Sequence, residues 1–177
     1  MKFTFALLAA AMLTFAPAKD QVFPALTGET LDGKNITIPA DTGGKVTIVG
    51  MSYSKKAEGT LKTWYQPMYD KFVLKRGMFD SQYDINFLFV PMFTGAKKTA
   101  YGPALKKMKE SNRKDLYPHL LFYKGDLEPY KTDLDMDDKN LPYLFVLDEE
   151  GKIVYQTKGL YNEKKMENIE EVLDARL

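Results

Sequence analysis

Residues 141–154 read Leu-Pro-Tyr-Leu-Phe-Val-Leu-Asp-Glu-Glu-Gly-Lys-Ile-Val. Tyr143 to Leu147 is an unbroken apolar run, and Lys152 to Lys158 returns after Asp148-Glu149-Glu150-Gly151. Two apolar runs joined by a short acidic turn ending in glycine predict an antiparallel hairpin. Working outward, Asn162 is placed to cap a last helix with Glu163 near its start. Met166, Ile169, Leu173 and Leu177 form that helix's apolar stripe. Upstream, Lys45 to Met51 (KVTIVGM), after the Gly43-Gly44 break, and Ile85 to Val90 (INFLFV), ended by Pro91, are near-continuous apolar runs. Such runs suit strands covered on both faces.

Between them, Leu61, Trp64, Tyr65, Met68 and Phe72 recur at helical spacing, predicting a helix over Ala57 to Phe72 that Pro67 kinks or restarts. Pro103 to Lys114 predicts a second helix, with Pro103 in its first turn and Leu105 and Met108 facing inward. Leu120 to Tyr123 is a short apolar run of open type, and Asp126 to Leu134 holds a helical turn. Val22 to Pro39 predicts an N-terminal β-hairpin around Asp32-Gly33. The order is β-hairpin, β, α, β, α, β, β, α. A β-α-β start requires a right-handed crossover, so the fold class is α/β, a mixed sheet flanked by helices on both faces.

Composition excludes much chemistry. The 177-residue chain has no cysteine and one histidine. No disulfide, thiolate metal site or cysteine nucleophile can form, nor a site of several histidines. A net charge of +1 offers no nucleic-acid footprint. Residues 1–18 read as a secretory signal: Lys2, an apolar run from Phe3 to Phe15, and Ala16-Pro17-Ala18 at the cleavage site. The run is shorter than the roughly 20 residues of a membrane span. Cleavage leaves a domain of residues 19–177 with no membrane span, in the periplasm or outside the cell.

Several motifs resemble the thioredoxin-like superfamily. Phe23-Pro24-Ala25-Leu26 through Lys34 is similar to the opening of peroxiredoxin and TlpA-type domains. Leu141-Pro142-Tyr143 with Asp148 and Gly151-Lys152-Ile153 resembles the segment in which a cis-proline opens the third core strand. The resemblance implies a thioredoxin-like fold and a cis Leu141–Pro142 bond. Where redox members carry W-C-x-x-C, this chain has Tyr53-Ser54-Lys55-Lys56-Ala57. Ser54 stands at the attacking position and Ala57 at the resolving one, so thiol exchange, which needs a thiolate, is excluded.

Trp64-Tyr65-Gln66-Pro67-Met68 through Phe72, and Tyr143 through Asp148, look like segments of the thioredoxin-like assembly factors of mitochondrial ATP synthase. That likeness implies a non-enzymatic role in assembling or folding an envelope complex, with a protein or extended peptide as partner and no cofactor. The expected binding residues are Tyr53, Ser54, Lys55, Lys56, Pro142 and Tyr143. Ser54 and the two lysines would favour an anion, or serve as a helix cap and solvated charges. Tyr53, Pro142 and Tyr143 would line a peptide groove, or a groove filled by the chain itself. The alternatives are a non-redox enzyme using Ser54 or His119, and a calcium-binding protein using Asp133 to Asp138. That acidic run lacks the glycine and glutamate of an EF-hand, and Leu134 and Met136 can pack inward from it. The Lys106, Lys107, Lys109, Arg113 and Lys114 group reads as a solvated helix face.

Overall fold

The computed structural model describes residues 21–78, 80–110 and 114–176. The expected leader, residues 1–18, and Leu177 of the last stripe lie outside these. Seven strands form one sheet: β1 (Leu26–Thr30), β2 (Asn35–Ile38), β3 (Thr47–Ser52), β4 (Asn86–Thr94), β5 (Leu121–Gly125), β6 (Tyr143–Leu147) and β7 (Ile153–Lys158). Their order is β2-β1-β5-β4-β3-β6-β7. β3, β4 and β5 are parallel, and β6 is antiparallel to β3. Both predicted hairpins are present. The short run at Leu120 becomes β5, which pairs antiparallel with β1 and joins the N-terminal hairpin to the sheet.

The first helical region is two helices, α1 (Lys55–Leu61) and α2 (Tyr65–Phe72), separated by a 3-10 turn at Lys62–Trp64. The break comes before Pro67 because the proline ring crowds the carbonyl four residues back and offers it no N–H. α3 spans Tyr101–Glu110, α4 Glu128–Asp133 and α5 Glu163–Asp174. α3 begins two residues before the expected Pro103, and Lys114, expected at its end, lies in a 3-10 turn that runs to His119.

Two expectations are corrected. β4 does not stop at Pro91 but runs through it, opposite Ser52. The missing N–H falls between the Phe89–Leu120 bridge and the Met92–Tyr123 pair, where the ladder to β5 is already interrupted. The cis peptide bond expected at Leu141–Pro142 is absent there; among the described residues the one cis bond is Ile38–Pro39. The Pro142 carbonyl accepts the Gly159 N–H at 2.9 Å, so this backbone closes the β6–β7 hairpin.

Each sheet face carries its own core. On one, Leu61, Trp64 and Met68 of α1–α2 meet Met166, Ile169 and Leu173 of α5. Trp64 is fully buried and its indole N–H donates to the Gly159 carbonyl at 3.0 Å. On the other face, Phe23 and Leu26 meet Tyr130 and Leu134 of the α4 region. Each such side chain contributes about 1.5–3 kcal/mol by leaving water.

Candidate binding cleft

β3 is central, between parallel β4 and antiparallel β6, and in open α/β sheets ligands bind outside the carboxyl ends of the strands. Here β3 ends in Ser52, and Tyr53 and Ser54 lead into α1. Ser54 has extended backbone and its hydroxyl accepts the Ala57 N–H at 3.0 Å, a side-chain N-cap. Ala57 is fully buried. The two positions at which the resemblance to redox members would place thiols therefore hold a cap and a packing residue.

Two adjoining cavities flank this turn. One of about 260 Å³ is lined by Ser52, Tyr53, Ser54, Lys55, Met92 and Lys97, among others. The next, of about 560 Å³, runs between α1 and α3 past Lys62, Ala104, Lys107, Met108 and Phe122. Lys55, Glu58, Pro91, Phe93 and Ala100 line both, making one continuous cleft. Lys97 crosses its rim and donates to the Tyr53 carbonyl at 2.8 Å.

The expected site residues separate. Ser54 and Lys55 face the cleft; Lys56 is exposed and lines neither cavity. Pro142 is buried. Tyr53 and Tyr143, at 7% and 5% exposure, are not surface anchors. The acidic loop after α4 covers them. The Tyr53 hydroxyl donates to the Met136 carbonyl at 2.7 Å, and the Tyr143 hydroxyl donates to Asp137 Oδ1 at 2.8 Å. Leu134 and Met136 pack inward from the same loop. The two phenols are thus taken up by the chain's own loop, while Tyr53 also lines the inner cavity of the cleft and Tyr143 a separate one of about 370 Å³ beside Asp137 and Lys158. Burial, then the charges of Asp138 and Asp137, raises the Tyr53 phenol pKa. Burial pushes the Tyr143 phenol up to about 12, with Asp137 adding to the rise.

The acidic loop has internal partners. Asp137 Oδ1 takes the Tyr143 hydroxyl and lies 3.4 Å from Lys158 Nζ; these contacts hold its carboxyl below the usual range. Asp138 Oδ1 accepts the Asn140 N–H. Among the described residues, no group of three or more metal-ligating side chains could hold an ion.

His119 lies elsewhere. Its ring stacks on Phe87 with centroids 3.9 Å apart, and Nδ1 is 3.1 Å from the Phe87 carbonyl oxygen. Phe87 opposes Ile48 near the start of β3, whereas Ser54 follows that strand's end. The two residues named for an enzyme thus sit at opposite ends of the strands. Sequence reasoning missed Ser52, Phe93, Ala104 and Lys107 as cleft residues. The signal available was Ala100, Ala104 and Met108 at a spacing of four, beside Lys107.

Comparisons with known proteins agree with this architecture. A thiol:disulfide interchange protein DsbE from Chlorobium tepidum is 15% identical with a TM-score of 0.55, over 90% of this chain and 98% of its own. BsSco, of the Sco family of cytochrome c oxidase assembly proteins, is 12% identical with a TM-score of 0.58, over 89% and 95%. The exposed lipoprotein thioredoxin Etrx1 from Streptococcus pneumoniae is 15% identical with a TM-score of 0.56, over 83% and 98%. These likenesses establish the thioredoxin-like fold. A search of curated proteins finds no match. A family model described as "ATP10 protein" matches residues 7–175. With nearly its whole length matched, the chain belongs to the ATP10 protein family.

Proposed function

We propose that this protein is a non-redox assembly factor that holds a protein segment while a membrane complex is built. The family designation points to the ATP synthase as that complex. The observation that carries the reading is the turn from β3 into α1. Ser54 is spent as a helix cap and Ala57 is fully buried, in a chain without any thiol. What persists there is a cleft without a thiol, which supports holding a partner over exchanging disulfides with it. The partner is a protein or extended peptide. The protein works in the periplasm or outside the cell, as the leader-like residues 1–18 support.

The test is gene deletion followed by native-gel quantification of assembled ATP synthase. The amount falls, and both the wild-type gene and Ser54→Ala restore it, since the serine has no chemical step to perform. Undiminished ATP synthase in the deletion strain would refute the reading. Exported protein begins at Lys19 by N-terminal sequencing; retention of Met1 would refute the address.

A further inference from the structure

We propose that the cleft between α1 and α3 binds an acidic, apolar peptide segment, with lysines at the rim taking its carboxylates and the floor taking its side chains. This deepens the assembly-factor reading and rests on it for the kind of partner.

Charge is the first argument. Lys55, Lys62, Lys97 and Lys107 line the cleft against one acid, Glu58, an excess of three positive charges. Glu58 is already paired with Lys62 at 2.8 Å. Among the described residues, Lys55 and Lys107 have no ion pair. A chain with 25 basic and 24 acidic residues gives no general reason for such a concentration. It favours an anionic partner and repels a basic one.

The floor is the second. Pro91, Phe93, Ala104, Met108 and Phe122 supply apolar surface, and the combined space falls in the range of about 300–1,000 Å³ typical of ligand pockets. α3 has no fully buried residue, and the larger cavity lies between it and α1.

The third is a single atom. Ser52 is 2% exposed, it lines the inner cavity, and its hydroxyl has no hydrogen-bond partner. Buried hydroxyls are normally satisfied. A peptide carbonyl or carboxylate entering the inner cavity would accept from it.

Fluorescence anisotropy tests this with a fluorescein-labelled short peptide carrying glutamates on either side of a leucine–phenylalanine core. Its counterpart carries lysines instead. The mature protein binds the acidic peptide at least about tenfold more tightly than the basic one, and high salt weakens it. Lys55→Glu with Lys107→Glu abolishes the preference, and Ala104→Trp, which fills the floor, weakens binding about tenfold. Lys106→Glu, a cavity-free position on the same helix, leaves binding unchanged. Equal binding of the two peptides, or a Lys106→Glu loss as large as that of the paired reversal, overturns the proposal. So does preferential binding of decanoate, or a dimer by sedimentation that Ala104→Trp dissolves. If Ala104→Trp fails to fold by circular dichroism, the charge reversals decide alone. Failed peptide binding beside reduced ATP synthase in the deletion strain would sink the cleft and spare the assembly reading. Specific peptide binding beside undiminished ATP synthase would do the opposite.

Discussion

His119 is the chain's one histidine, and it is set to make stability depend on pH. Burial lowers its pKa below the ordinary 6.5, outweighing the Phe87 carbonyl and the Asp115 charge that favour the proton. The unfolded chain therefore binds a proton at a higher pH than the folded one. Stability is full above about pH 6.5 and is lost as pH falls through the lowered folded value. The lowered aspartates, Asp32, Asp84, Asp126 and Asp137, start from 3.8 and leave the window above about pH 5 to the histidine. Thermal unfolding followed between about pH 7.5 and 5 should show a falling midpoint, and His119→Gln should flatten that slope. An unchanged slope in the variant would show that the ring is not the titrating group. At Ser54, removal of the cap by Ser54→Ala should cost about 1 kcal/mol in urea unfolding. A loss above about 3 kcal/mol would mean the hydroxyl does more than cap.

Among the elements, those with strong periodicity were legible from sequence. The apolar runs of β3, β4 and β6 and the Leu61–Phe72 stripe follow directly from burial. β5 was ambiguous because Leu120 to Tyr123 is too short to separate strand from helix by period, and its pairing with β1 is a long-range event. Pro91 misled because the rule against proline in strands concerns a lost ladder bond, and here β4 already lacks one toward β5. At the site, the inward turn of Leu134 and Met136 was readable from their alternation with aspartates. That the loop comes down upon Tyr53 and Tyr143 was not, since 83 residues separate Tyr53 from Met136. This loop is tied by the two phenols. Tyr53→Phe leaves the Met136 carbonyl without its donor, and Tyr143→Phe frees Asp137 from its shortest contact. Each should cost about 1–3 kcal/mol and speed protease cleavage within residues 133–140. Unchanged cleavage in the double variant would show that Leu134 and Met136 hold the loop unaided.

The molecule as a whole is one sheet with a core on each face, so its cooperativity runs through the strands. The weak place is the join between the N-terminal hairpin and the rest, where β1 and β5 share a register of two residue pairs, Glu29–Phe122 and Thr30–Leu121. Gly28 lies beside this join. A Cβ there would stand 2.8 Å from the Phe122 carbonyl oxygen and 2.9 Å from Leu121 Cγ. The first of these is backbone and cannot swing aside, so any larger residue pushes β1 off β5. Phe122 is also part of the cleft floor, which couples the join to the binding face. Gly28→Val should destabilise by about 1–3 kcal/mol as overpacking does, lowering the melting temperature by roughly 2–12 °C in a domain of this size. Gly102→Ala is the counterpart: on α3 its added Cβ meets nothing within 4 Å, and replacing a helical glycine should raise stability by about 0.5–1 kcal/mol. Trp64, the only tryptophan and on the face opposite Phe23, reports the global transition by fluorescence. If Gly28→Val melts the hairpin alone, circular dichroism changes before Trp64 emission, and the two faces unfold separately. If both signals move together to a lower temperature, the β1–β5 join belongs to the single cooperative unit that its position in the sheet implies.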